Sequence, residues 1–231
     1  MNSKNKLWLN IFLLISILDI LFTAEGLQDY RYFSKTLILP VLLLYFFQSS
    51  RYMAGTTLRK AVIAALLFSW LGDVLLLFPN LFLFGLGAFL MAHICYILSF
   101  KLAQFSPFSI GNVNFIRMFF VNLPIYIAAA FVYYLIQPNL SEMKIPVVIY
   151  LIVIVMMVTT ARERYQKTIP ASFWQVFIGG VMFMISDAIL AINLFFKSFP
   201  ESGVLVMGSY IIAQFLIVRG ILAHVPDQEK I

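Results

Sequence analysis

Charge is scarce in this sequence. Only 11% of its residues are Asp, Glu, Lys or Arg, while 62% are hydrophobic. A soluble domain is about half apolar and about a quarter charged, so a water-soluble fold of this size is excluded: it could not hide so much apolar surface. Cysteine is nearly absent. The single Cys95 excludes an internal disulfide and any cysteine-rich metal site. Histidine is scarce too, and His93 and His224 are too few for a histidine-rich metal centre. Strict alternation of apolar and polar residues is missing, which argues against a membrane β-barrel.

What is present is a series of long apolar runs. A backbone in lipid must satisfy its own hydrogen bonds, and runs such as 61–78 and 147–158 do so as helices. A span needs about 20 mostly apolar residues. Eight segments qualify: 7–24, 32–47, 61–78, 81–100, 115–136, 145–160, 173–196 and 203–223. Turn formers separate them, at Pro79-Asn80, Pro138-Asn139 and Pro200-Glu201-Ser202-Gly203, and the stretch 106–114 is polar. The first run follows Lys4 and Lys6 as a signal peptide would. It lacks a convincing cleavage site and carries Asp19, so it reads as the first span. The expected fold is all-α, one polytopic transmembrane helical domain over residues 1–231, in a bacterial inner membrane or its equivalent.

Lysine and arginine orient it. With the N-terminus in the cytoplasm, one side holds Lys4, Lys6, Arg51, Arg59, Lys60, Lys101, Arg117, Arg162, Arg164, Lys167, Arg219 and Lys230. The other holds Arg31, Lys35, Lys144 and Lys197, so the balance is twelve against four. That is a positive-inside bias, and it predicts an even number of spans with both termini cytoplasmic. Basic loops facing anionic lipid headgroups account for the net charge of +6 without a nucleic acid partner.

Three aspartates lie inside the expected spans: Asp19, Asp73 and Asp187. Each would cost about 2.5–3.5 kcal/mol at the bilayer centre, so they must face the bundle interior. In the expected topology Asp19 and Asp73 lie about 8 Å below the outer end of their helices and Asp187 about 14 Å below it. Lys35 falls at a similar level. One reading is a structural polar network; the other is a polar cavity opening outward. Gly72-Asp73 and Ser186-Asp187 each put a small residue before the acid, where a neighbouring helix can approach closely. They fall in the third span of each four-span half, as a parallel repeat would place them, although the halves do not align visibly elsewhere. His93 and Tyr96 share a helix face, as do Tyr210 and Gln214. Asn193 and Gln175 are weaker candidates.

The motifs Phe68-Ser69-Trp70-Leu71-Gly72-Asp73, His93-x-x-Tyr96, Gly179-Gly180 ahead of Ser186-Asp187, and Tyr210-x-x-Ala213-Gln214 occur in this order and spacing. Together they resemble the YhhN-like lysoplasmalogenase family across nearly the whole chain. That resemblance implies eight spans and a membrane hydrolase. It would cleave the vinyl ether bond of a lysoplasmalogen to a fatty aldehyde and a glycerophospho-base. One departure stands in the second span, where the family often has Lys-Pro and this chain has Lys35-Thr36 with Pro40.

The residues suit that chemistry. A vinyl ether hydrolyses by protonation of its β-carbon, giving an oxocarbenium ion that water then captures. Two carboxylates in one apolar site can divide the work, one donating a proton while the other carries charge, as in glycosidases. Asp73 and Asp187 are the expected catalytic pair. Asp19, Lys35, His93, Tyr96, Ser186, Tyr210 and Gln214 are the expected substrate-binding set, with no metal and no other cofactor. An intramembrane aspartyl protease is disfavoured because Trp70 stands where its Gly-x-Gly-Asp motif needs the first glycine. A zinc hydrolase of the ceramidase kind needs more histidines. A lipid-binding protein or proton-coupled transporter using the same acids is the main alternative.

Overall fold

The computed structural model describes residues 3–105 and 115–224, so the polar stretch 106–114 and Lys230 lie outside the described residues. Among the described residues, eight long helices run in order: α1 (Ser3–Ala24), α2 (Gln28–Ser49), α3 (Thr57–Leu75), α4 (Phe82–Leu102), α5 (Phe115–Ile136), α6 (Lys144–Glu163), α7 (Pro170–Phe195) and α8 (Ser202–His224). No strand occurs among the described residues. Seven of these helices are long and apolar enough to cross a membrane. The remaining one, α3, has 19 residues, about 28 Å of helix, and carries Arg59, Lys60 and Asp73. The protein is a multi-pass integral membrane protein.

Local chemistry sets the helix ends. Gly26 takes a φ of +69° after α1, and the Leu27 N–H then reaches back to the Phe22 carbonyl at 2.9 Å, a left-handed helix stop that suits glycine. Thr56 caps α3, its hydroxyl oxygen accepting from the Arg59 N–H at 3.2 Å. Pro170 opens α7, where its missing N–H costs nothing.

Two helix pairs, α3 with α4 and α7 with α8, form the closest packing in the bundle. Small residues allow it. A Cβ on Gly72 would lie 2.6 Å from the Phe89 ring of α4, and one on Gly220 would lie 2.6 Å from Val176 of α7. The small residues expected before each acid sit at these contacts: Gly72 under Phe89, and Ser186 donating to the Val206 carbonyl of α8 at 3.0 Å. The interior is aromatic and aliphatic, with Phe12, Phe46, Tyr96, Phe100 and Phe183 fully enclosed. The outside is equally greasy: Phe33 is 74% exposed and Ile145 73% exposed, as lipid-facing residues should be.

Pro40 lies inside α2 and cannot donate to the carbonyl four residues back, that of Thr36. The indole Nε1 of Trp70 on α3 fills the gap, donating to the Thr36 carbonyl at 3.0 Å. This ties α2 to α3 beside the residues of the site.

Arg164 departs from expectation. It reads in sequence as a loop cation facing lipid headgroups, yet it is 0% exposed. Its Nε and Nη2 donate to the Ala103 carbonyl at 3.1 Å each, and Nη2 also reaches Ser172 Oγ at 2.7 Å. Ser172 Oγ in turn donates to the Gly220 carbonyl at 2.6 Å. The guanidinium caps the Ala103 carbonyl just past the end of α4, one of the carbonyls that a helix C-terminus leaves without an intrahelical donor. Burial pulls its pKa down to about 10, which leaves it cationic at neutral pH.

Candidate functional site

Asp73 projects from the last turn of α3 and Asp187 from the second half of α7. Both line one cavity of about 1070 Å³. Its walls are sorted by chemistry. The α2 wall contributes Gln28, Arg31, Tyr32 and Lys35. The opposing wall is apolar, with Ala129, Val132 and Ile136 from α5 and Val147, Leu151 and Ile154 from α6. Helix α2 packs against α1, α3 and α8, whereas α5 packs against α6 and α7. The carboxylates on α3 and α7 therefore stand between a cationic side and a greasy side.

Each carboxylate is held by a tyrosine from another helix. Tyr210 of α8 donates to Asp73 Oδ2 at 2.7 Å, and Lys35 Nζ lies 3.9 Å from Asp73 Oδ1. Tyr150 of α6 donates to Asp187 Oδ2 at 2.5 Å. His93 Nε2 stands 3.9 Å from the same oxygen, and its ring meets Tyr150 and Phe183 edge-on at 5.2 and 4.7 Å. Asp73 thus faces a cation at close range, while the nearest basic group to Asp187 is an imidazole.

Of the expected site residues, Asp73, Asp187, Lys35, Ser186 and Tyr210 line the cavity. Asp19, His93, Tyr96 and Gln214 do not, and helix geometry says why. Tyr210 and Gln214 share a face of α8, as expected. Gln214 lies one turn, about 5.4 Å, further along. There it accepts a hydrogen bond from Tyr96 in a layer behind the cavity. His93 is 0% exposed within that layer, backing Asp187. Asp19 accepts from Ser34 Oγ at 2.6 Å. Ser34 and Lys35 are adjacent on α2 and so point about 100° apart; Ser34 turns to α1 as Lys35 turns to the cavity. Asn193 also lines the cavity, and its side-chain oxygen accepts from the Phe199 N–H at 3.3 Å.

Three contributors escaped the sequence reading. Tyr150 carries the first side-chain hydroxyl in an otherwise aliphatic stretch of α6, a signal that could have found it. Arg31 lies in the polar first turn of α2, which hydropathy assigns to a loop. Trp70 is part of the quoted motif, and Pro40 four residues after Thr36 announces a carbonyl that needs a donor.

Residues 30–221 match the model of the YhhN family. The chain belongs to that family. The matched region contains both cavity carboxylates and the α2 residues Arg31 and Lys35, and leaves out α1 with Asp19. Over 175 residues, 73% of the chain, it is 33% identical to a protein of Mycobacterium tuberculosis named lysoplasmalogenase, and it spans 64% of that relative's length. It is 30% identical over 181 residues to lysoplasmalogenase TMEM86B of Sus scrofa, covering 78% of this chain and 70% of the relative. An Escherichia coli O157:H7 member named uncharacterized membrane protein YhhN is 28% identical over 196 residues, 83% of this chain and 86% of the relative. No solved structure matches.

Proposed function

We propose that this YhhN-family protein hydrolyses the vinyl ether bond of a lysoplasmalogen, releasing a fatty aldehyde and a glycerophospho-base. One observation carries the reading: two carboxylates, each fixed by a tyrosine hydroxyl, stand in one cavity between a cationic wall and an apolar wall. The substrate has the same order, a phosphate headgroup, then the ether, then a hydrocarbon chain. The names carried by the mycobacterial and Sus scrofa relatives support it.

The two acids take different parts in this reading. Asp187 has no lysine or arginine within ion-pair distance among the described residues and acts as the proton donor. Asp73 sits beside the Lys35 ammonium and acts as the fixed negative charge. Asp187 delivers its proton to the β-carbon of the vinyl ether. The π pair of the carbon–carbon double bond forms the new carbon–hydrogen bond, a carbon–carbon single bond remains, and the ether oxygen shares positive charge with the adjacent carbon. Asp73 stabilises that cation electrostatically. Water adds to the cationic carbon and returns a proton to Asp187. The hemiacetal then breaks its bond to the glycerol oxygen, which takes up the hydroxyl proton. One water is consumed, and both carboxyl groups end as they began.

The whole chain works in this reading as one transmembrane domain in a bacterial inner membrane or its equivalent. Helix α3 is the eighth span, and both termini face the cytoplasm. The deciding assay uses purified protein in detergent with a lysoplasmalogen and, separately, the corresponding ester lysophospholipid. Aldehyde from the first and no fatty acid from the second is the expected result. Absence of aldehyde with confirmed folded protein overturns the proposal.

A further inference from the structure

The chemical steps are carried by Asp73 and Asp187, and which side chains of the cationic α2 wall hold the headgroup is a separate question. Arg31 and Lys35 are four residues apart, so both side chains leave one face of α2, and both line the cavity. Lys35 is 8% exposed, and its nearest carboxylate oxygen stands at 3.9 Å, beyond hydrogen-bond reach. Arg31 forms no ion pair among the described residues, and its Nε is buried without an acceptor. Asp19 on the neighbouring α1 accepts from Ser34 at Oδ1 and forms no ion pair with Arg31, so it lends the cations charge from nearby without matching their donors. A guanidinium with a buried, unmatched Nε beside an ammonium held only by a 3.9 Å ion pair is costly in surroundings of low polarity unless something supplies acceptor oxygens.

We propose that Arg31 and Lys35 form a phosphate subsite that takes the phosphodiester of a lysophospholipid and sets the register of the ether bond against the carboxylates. The inference rests on the reading of the cavity as a lysophospholipid site and deepens it. A guanidinium presents a planar fork that matches two phosphate oxygens, and an ammonium adds a compact charge. Gln28 and Tyr32 line the same wall with neutral polar groups. Lys35 stands beside Asp73, and Arg31 lies one helical turn, about 5.4 Å, further along α2. That offset is about the span of a glycerol unit, so a phosphate held at Arg31 brings the ether oxygen level with the acids. The hydrocarbon chain then falls against α5 and α6. Among the residues lining the cavity, Asp73 and Asp187 are the sole carboxylates, so the wall that receives the phosphate offers no acidic partner to the headgroup amine.

Binding tests this without turnover. The probes are a saturated alkyl lysophospholipid, which has no vinyl bond to cleave, and the alkylglycerol of the same chain length, which lacks the phosphate. Titration calorimetry in detergent on the full chain should show the phospholipid binding at least about tenfold more tightly. Arg31→Gln should erase most of that advantage while leaving alkylglycerol affinity within about twofold, and Arg31→Lys should restore part of it. Equal affinity of the wild type for both probes overturns the proposal, and this comparison needs no variant. So does an equal loss for both probes in Arg31→Gln, the mark of a structural role. The two readings fail separately. Phosphate-dependent binding without aldehyde release defeats the hydrolase and keeps the subsite. Aldehyde release with a KM unmoved by Arg31→Gln does the reverse.

Discussion

The Tyr150 hydroxyl on α6 donates to Asp187 Oδ2 on α7 at 2.5 Å. The tyrosine ring also packs edge-on to His93 at 5.2 Å, so the hydroxyl is held in place by its own ring. Tyr150→Phe keeps those ring contacts and removes the hydrogen bond alone. A hydrogen bond to a charged group is worth about 1.5–3 kcal/mol, or roughly tenfold to a hundredfold in rate if it serves the transition state. The expected outcome is a fall in kcat of that order with little change in KM, measured as aldehyde release. A change confined to KM would show that Tyr150 contacts substrate without tuning the acid.

Asp73→Asn and Asp187→Asn keep shape and remove ionisable protons. Each should insert and fold normally and lose about 10²–10⁴-fold in turnover, the usual contribution of a general acid or base. If the two act as a unit, the double variant should lose little more than the worse single one. The protonation step itself can be read by isotope. Wild-type product made in heavy water and trapped at once should carry one deuterium on the carbon next to the aldehyde, since the donated proton comes from an exchangeable carboxyl. Product without that label would rule out protonation of the β-carbon. Near-wild-type turnover in both Asn variants would remove the acid pair from the mechanism.

His93→Gln and Gln214→Ala act from behind the cavity and should cost less turnover than either Asn variant. Gln214→Ala strands the Tyr96 hydroxyl, which is 0% exposed. A buried group left unpaired costs about 1–3 kcal/mol, so its larger effect should be a lower Tm in detergent. A loss of turnover as large as that of Asp187→Asn, with Tm unchanged, would move Gln214 into the reacting layer.

The helical architecture was legible because lipid imposes it: apolar runs of spanning length leave few alternatives. The two catalytic candidates were legible for the same reason, since an aspartate in such a run must face inward. Other parts were hidden by what hydropathy cannot weigh. Arg31 belongs to the polar first turn of α2, where a hydropathy reading starts the span at Tyr32 and leaves Arg31 in a loop. Arg164 looks like any loop cation until the carbonyls of Ala103 and Ser172 are brought around it. Asp19 resembles the other two acids in sequence. Its partner Ser34 decides its fate, and one residue of phase on α2 separates that pair from the cavity.

Trp70 and Pro40 should be energetically coupled. Pro40 removes the donor that Thr36 would have had, and the Trp70 indole replaces it. Trp70→Phe should therefore lower thermal stability in detergent by leaving the Thr36 carbonyl unpaired, at about 1–3 kcal/mol. Pro40→Ala supplies a backbone N–H to the same carbonyl. In that background Trp70→Phe should cost clearly less, and the double-mutant cycle should give a coupling of about 1 kcal/mol. Additive losses would show that the indole serves packing alone. Because Lys35 neighbours Thr36, the single Trp70→Phe variant should also raise KM for a lysophospholipid more than for the alkenylglycerol without phosphate.

The proposed topology can be checked by labelling. Twelve basic residues against four argue for cytoplasmic termini, and one of the twelve, Arg164, is buried away from lipid headgroups. In a Cys95→Ala background, Asn2→Cys and Lys230→Cys should resist a membrane-impermeant maleimide in intact cells. Asn139→Cys, in the turn between α5 and α6, should react. Opening the cells should make the two terminal sites reactive, which controls for burial. The Asn139 site also bears on function. It lies next to Ile136 of the apolar cavity wall, so outside labelling there puts the cavity in the outer half of the bilayer, where substrate in that leaflet can reach it. Labelling of both terminal sites in intact cells would invert the bundle, and with it the leaflet from which substrate is drawn.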